Sequence, residues 1–260
     1  MSAPAQAPPV LRSRLLAEAG LRHGFTTLAA GDFAWPTLQQ PEGAASLAAL
    51  AAEIGFDPEL LVTSEQVHGS TVAVVHLCLS CGPGNRVPHT DGLITEEPWP
   101  LLITTADCFP VIVYEPFEKM VAIVHCGWRG TTAGILTRAV GRLIRETGGR
   151  ASELLAGIGP GICGSCYQVG DDVVGAAVTA GLESHLSGDS EPGRHRFDIA
   201  GALRQQLLES NLRPEHIDSL SRCTFEDPEL PSYRRDGTAV RSAAVVVLEK
   251  ALMVDPAHRH

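Results

Sequence analysis

Two histidines and a cysteine are the residues of this 260-residue chain best suited to chemistry. They stand in three short segments: Glu65-Gln66-Val67-His68-Gly69, Thr105-Ala106-Asp107-Cys108-Phe109-Pro110 and Val124-His125-Cys126-Gly127-Trp128-Arg129-Gly130. Two imidazoles and one thiolate make a three-ligand zinc set. Such a set leaves a fourth position for water or substrate, as catalytic zinc sites do. Each residue also has a plainer reading. His68 fits a turn histidine at a strand end, Cys108 a buried thiol, and His125 a core histidine after an apolar strand.

The elements that must position these residues are readable nearby. Leu101 to Thr105 and Met120 to Val124 are short apolar, β-branched runs of buried-strand type, and Cys108 and His125 follow them closely. In open α/β sheets the ligand crevice lies outside the carboxyl ends of the strands. After His125, Gly127 and Gly130 form a turn, and Ile135, Leu136, Ala139, Val140, Leu143 and Ile144 recur at helical spacing. Gly148-Gly149 stops that helix. A glycine turn leading into a helix start exposes N–H groups and suits an anion.

Composition sets the frame. A hydrophobic content of 44% supports a sizeable core. The expected architecture is α/β: a single domain over residues 11–255 with a mixed β-sheet flanked by helices. Residues 1–10 are small and proline-rich and are expected to form a disordered tail. They contain no basic stretch or apolar segment of signal-peptide type. No run is long enough to span a membrane. The expectation is a cytoplasmic monomer with reduced cysteines. A net charge of −10 disfavours nucleic acid as a partner. Further elements are a helix over Ala44–Ile54 ended by Gly55, a strand over Val72–Leu77, a helix capped by Asp171, and a helix capped by Asp198 with Ile199, Leu203 and Leu207 inward. A final strand runs from Val240 to Leu248.

Two Cys-x-x-Cys pairs, Cys78/Cys81 and Cys163/Cys166, invite a four-cysteine zinc reading. The gap between them is far longer than in a zinc ribbon, so they are expected to be unliganded turn and core residues. Cys126 and Cys223 are also expected in the core.

The chain resembles the YfiH-like family, the laccase-domain proteins also called polyphenol-oxidase-like or peptidoglycan editing factor proteins. The resemblance rests on Gln66-Val67-His68-Gly69, Asp91-Gly92-Leu93-Ile94-Thr95, Thr105-Ala106-Asp107-Cys108-Phe109-Pro110-Val111, His125-Cys126-Gly127-Trp128-Arg129-Gly130-Thr131, Gly157-Ile158-Gly159-Pro160-Gly161-Ile162 and Ser232-Tyr233-Arg234-Arg235-Asp236-Gly237. It implies one catalytic zinc on His68, Cys108 and His125. It also implies purine nucleoside phosphorylase activity on adenosine, inosine and S-methyl-5′-thioadenosine, with adenosine deaminase activity besides. Two stretches depart from the family pattern: Ala29 to Trp35 replaces a glycine-rich turn, and Gly237-Thr238-Ala239-Val240-Arg241 replaces a Gly-Thr-Gly-Arg.

Phosphate would need positive charge gathered locally. Arginine offers a planar fork for it, and Arg129, Arg234, Arg235 and Arg241 are the candidates, each with a surface ion pair as its alternative. Arg234 and Arg235 are read as strand residues, so one of the two should face the site. Asp107 suits a catalytic proton carrier, an orienting partner of a ligand histidine, or a turn former. Asp91 carries the same ambiguity. Three activity classes are open. The first is the zinc-dependent nucleoside phosphorylase acting on purine nucleosides and phosphate. The second is a metal-free cysteine hydrolase or amidase editing peptidoglycan precursors, with Cys108 as nucleophile and His125 as base. The third is a copper-dependent phenol oxidase, disfavoured because the His-x-His pair is confined to His258 and His260.

Overall fold

In a computed structural model of the chain, residues 9–76, 84, 86–191 and 193–249 are described. Cys78, Cys81, residues 1–8 of the expected tail and the His258–His260 pair lie outside them. Val10, assigned to the tail from sequence, instead sits buried in the first strand.

The described strands form two six-stranded sheets and one small three-stranded sheet. The first sheet runs β1 (Val10–Leu11), β2 (Arg22–Thr26), β15 (Ser242–Val247), β7 (Leu101–Thr105), β3 (Val62–Ser64), β5 (Arg86–Val87). The second runs β14 (Ile217–Ser219), β10 (Leu155–Ile158), β8 (Phe109–Glu115), β9 (Met120–Cys126), β6 (Gly92–Thr95), β4 (Val72–Val74). The third comprises β11 (Gln168–Val169), β13 (His195–Phe197) and β12 (Leu186–Gly188). Parallel and antiparallel pairs mix in both large sheets.

The expected single α/β domain with mixed pairing and helices outside is present. The strands are shared between two stacked sheets, and period-2 alternation explains why. Leu101 and Ile103 of β7, Ala244 and Val246 of β15, Ile112 of β8 and Ile123 of β9 point into one apolar layer between the sheets. Their neighbours point the other way. Val111, Val113, Ala122 and Val124 pack against α5 (Ile135–Thr147), α6 (Asp171–Thr179) and α7 (Ile199–Glu209). Leu102, Val245 and Val247 pack with residues of α3 (Pro41–Ile54). A strand buried on both faces is apolar at consecutive positions, as β7, β8 and β9 are.

Several local expectations hold. Gly55 caps α3 and Gly148 caps α5, both with left-handed backbones. Asp198 caps α7 by accepting the N–H of Gly201. Asp171 lies in the first turn of α6, whose cap is Gly170. The stretch after His125 is two helices, not one. A five-residue α4 (Trp128–Thr132) ends before Gly134, which turns at φ 72° into α5. Tyr233–Asp236, read from sequence as strand, is the short helix α8.

Candidate metal centre and substrate cleft

The connection from β7 to β8 passes from one sheet to the other, and Cys108 sits on it. His68 lies on the loop after β3, and His125 lies near the end of β9. The three meet at the strand ends: one donor atom from each lies within 4.8 Å of the others. The His68 and His125 rings stand edge to face at 79°, with centroids 4.9 Å apart.

Asp91, buried between the loops, builds this arrangement. Its Oδ1 lies 2.8 Å from His125 Nδ1 and accepts the His68 N–H at 3.0 Å. Its Oδ2 accepts the N–H of Gly69 at 2.7 Å and of Val67 at 3.2 Å. His68 has φ 57°, an uncommon conformation for a residue with a Cβ. The Asp91 carboxylate holds that turn from beneath. With Nδ1 of His125 engaged by the carboxylate, Nε2 is the nitrogen left to face the cluster. Gln66 fixes the other side of the loop. Its amide donates to the Thr104 carbonyl at 2.7 Å and accepts the Thr104 N–H at 2.8 Å.

Glycine is required beside the cluster. A Cβ on Gly127 would lie 3.0 Å from Cys108 Sγ and 3.3 Å from the His68 ring. A Cβ on Gly130 would lie 2.8 Å from the Gly69 carbonyl oxygen, so α4 packs backbone to backbone on the His68 loop.

Electrostatics favour a thiolate. Burial opposes charge on Cys108, but His125 and His68 outweigh it and bring the thiol down to about 6. Burial disfavours the His125 cation, but Cys108 and Asp91 outweigh that and raise His125 to about 9. Burial acts against the Asp91 carboxylate too, yet His125 and the Gly69 and Val67 N–H groups hold it below its ordinary value. Cys126 points into the helix-facing core, as expected, where burial raises its thiol well above the ordinary value.

The cluster lies in the wall of a cleft of about 750 Å³, within the size range of small-molecule sites. Of the four candidate arginines, three line it: Arg129, Arg234 and Arg241. Arg129 stacks on the Trp128 ring at 4.1 Å. Arg234 lies 5.2 Å from the Tyr167 ring centroid and donates to the Gln168 carbonyl. Arg241 donates to the carbonyls of Thr238 and Val240. Arg235 is directed elsewhere, which corrects its sequence assignment. Its fork donates to the carbonyls of Thr224, Phe225, Asp227 and Leu230 and to Asp236. One arginine of the pair faces the cleft, but the two diverge as consecutive residues of a helix, about 100° apart around its axis, not by strand alternation.

Asp107 also lines the cleft. Its carboxylate accepts the Thr224 hydroxyl at 2.6 Å and the Arg234 N–H at 2.7 Å, and its own φ is 83°. It contacts neither histidine through these bonds. The histidine-orienting part falls to Asp91.

Sequence reasoning missed Arg86, Tyr167 and Tyr233 as cleft residues and assigned no part to Trp35. Arg86 lies 4.7 Å from the Trp35 ring centroid. Burial and the Cys108 thiolate raise Tyr167 to about 12, so its phenol keeps its proton. These residues come from four distant segments, and no motif links them.

The fold that carries this cleft is also found in solved proteins. The structure superposes on the Bacillus licheniformis protein YfiH with a TM-score of 0.83 and 26% identity, over 94% of this chain and 98% of that one. YlmD from Geobacillus stearothermophilus gives 0.80 and 28% identity, over 94% and 98%. A purine nucleoside phosphorylase of Deinococcus radiodurans is 36% identical over 253 residues, 93% of this chain and 94% of that protein. The chain belongs to the family described as multi-copper polyphenol oxidoreductase laccase, whose model matches residues 40–249.

Proposed function

We propose that this protein is a zinc-dependent purine nucleoside phosphorylase, acting on adenosine, inosine and S-methyl-5′-thioadenosine, with adenosine deamination as a second activity. The observation that carries the reading is the joint placement of the His68–Cys108–His125 cluster and two cleft-lining arginines, Arg129 and Arg234, in one cleft roomy enough for a nucleoside and phosphate. The phosphorylase name of the Deinococcus radiodurans relative supports it.

His68, Cys108 and His125 would hold the ion. The thiolate-forming Cys108 and two imidazoles are a zinc donor set with donor atoms within 4.8 Å of one another, and Gly127 keeps a side chain from crowding them. Zinc held there would supply Lewis acidity. In phosphorolysis the bond from ribose C1′ to the purine nitrogen breaks, and a phosphate oxygen bonds to C1′. Arg129 and Arg234 offer their planar forks to the phosphate. Trp35, Tyr167 and Tyr233 offer faces to the purine, and base stacking of this kind contributes roughly 1–3 kcal/mol. Tyr167, protonated across the working range, is a donor for the ribose or base. Asp107 acts by positioning: it holds the Cys108 turn and the Arg234 backbone.

The test measures metal content together with phosphate-dependent base release from inosine. One zinc at this cluster and base release that requires phosphate and stops with Cys108→Ala are expected. Base release unchanged in metal-free Cys108→Ala protein would refute the reading.

The cysteine hydrolase reading has one observation in its favour, the opposed shifts of Cys108 and His125 that make a thiolate–imidazolium pair. Hydrolysis of a peptidoglycan precursor by chelator-treated protein, abolished by alkylation, would select it. The copper oxidase reading has the family description behind it. Among the described residues, however, no metal-binding group holds more than two histidines, which is short of a multicopper centre.

A further inference from the structure

A second group of soft ligands lies close to the cleft on a different pair of turns. Cys163 and Cys166 flank one turn, and Cys223 and Glu226 flank the other at the same spacing. The turns are joined. Gly161 bridges Cys223, the Thr224 N–H donates to the Gly161 carbonyl at 3.1 Å, and the Cys163 N–H points at Cys223 Sγ at 3.3 Å.

One donor atom from each of the four residues lies within 4.8 Å of the others. Cys166 Sγ and Glu226 Oε1 are 3.3 Å apart. Zinc bonds of about 2.3 Å to sulfur and 2.0–2.2 Å to oxygen, spread tetrahedrally, put donor atoms roughly 3.5–3.8 Å apart. One pair is thus already close to coordination spacing, and no donor atom lies more than 4.8 Å from another, so small side-chain adjustments bring the four to it. Their backbones are also fixed in advance. The N–H groups of Cys166 and Tyr167 both donate to the Cys163 carbonyl, and Arg235 grips the carbonyls of Thr224 and Phe225 between Cys223 and Glu226.

We propose that Cys163, Cys166, Cys223 and Glu226 form a second metal site, a closed structural site for zinc, separate from the open cluster of the cleft. Four protein donors and no open position are the mark of structural zinc. The ion would lock the turns that support the cleft wall. The Ile162 N–H donates to the Asp107 carbonyl, and the Thr224 hydroxyl donates to the Asp107 carboxylate, next to Cys108. Tyr167, which lines the cleft, follows Cys166 directly.

The test uses the full chain carrying Cys108→Ser, so that the cleft cluster contributes no thiolate and the outcome is independent of the proposed activity. Under a thiol-free reductant, this protein is titrated with Co²⁺. An intense thiolate-to-cobalt absorption saturating at one ion per chain is expected, with zinc displacing it. Adding Cys166→Ser should weaken the band markedly. Adding the surface change Glu226→Gln instead, which leaves the core untouched, should weaken zinc binding by on the order of tenfold or more in chelator competition. Zinc should also raise the melting midpoint of the Cys108→Ser protein and not that of the protein with Cys166→Ser added. Absence of a thiolate band, or a band unchanged by Cys166→Ser, overturns the proposal. So does recovery of Cys163 and Cys166 as a disulfide that the reductant cannot open.

Discussion

Asp91 Oδ1 lies 2.8 Å from His125 Nδ1, and the same carboxylate accepts three consecutive N–H groups of the loop that bears His68. One buried side chain thus sets the orientation of one candidate ligand and the backbone of another. Removing it should separate metal affinity from fold to a measurable degree.

Asp91→Asn keeps the volume and one acceptor oxygen, so the protein should stay folded but bind zinc about 10–100-fold more weakly. Asp91→Ala leaves the N–H groups without their acceptor and His125 without its partner, at a cost of about 3–5 kcal/mol. Chelator competition reads the first effect and urea unfolding the second. Equal zinc affinity in Asp91→Asn and the parent would show that Asp91 does not orient the site.

Gly127→Ala tests the crowding of the cluster. Its Cβ would press on Cys108 Sγ at 3.0 Å while the backbone, at φ −83°, accepts alanine without strain. Zinc affinity and base release should fall together, by about tenfold or more, with little change in unfolding midpoint. A variant with wild-type zinc content and rate would place the ion away from Gly127.

The Cys108–His125 pair predicts a pH profile for metal-free protein. Cys108 is depressed to about 6, so its alkylation rate should rise with pH to a midpoint near there, well below that of an ordinary thiol. Sign follows from linkage. The depressed Cys108 contributes stability that is lost as pH falls through about 6. The raised His125 contributes stability that is lost as pH rises through about 9. The two contributions run in opposite directions with pH and offset each other between these values, so the pair gives metal-free protein little net pH dependence of stability there, and zinc should protect Cys108 throughout. Peptide mapping after alkylation reads this directly. A Cys108 midpoint near that of free cysteine would dismiss the pair.

The arginines divide by contact. Arg129→Met or Arg234→Met should raise KM for phosphate severalfold with a small change in stability. Arg235→Met should leave KM for phosphate unchanged and cost about 2–3 kcal/mol, because buried-side carbonyl partners lose a charged donor. A phosphate effect in Arg235→Met greater than in the other two would reverse the assignment.

Much of this was legible in the chain. Apolar runs before Cys108 and His125 announced buried strands, and glycines marked the ends of α3 and α5, because these are local consequences of residue type and period. His68, Cys108 and His125 stood out since each sits in a short, unusual segment, and the structure brings one donor atom of each within 4.8 Å of the others. Other features depended on the packing of distant segments. The alternation that makes β7 and β8 apolar on both faces does not say whether they share a sheet, and only the β7–β8 crossover revealed two. Arg235 and Arg234 are adjacent and chemically alike, and the helical backbone of α8 sends Arg234 to the cleft and Arg235 to the carbonyls of Thr224, Phe225, Asp227 and Leu230. Asp91 and Asp107 are both turn aspartates in sequence, and the loops that close over each decide which one holds a histidine. Cys223, expected in the core, meets Cys163 and Cys166 across nearly 60 residues because β10 and β14 run parallel and deliver their following turns to the same place. Residue chemistry and local period are written in the sequence; which side chains become neighbours is fixed by strand pairing and layer packing.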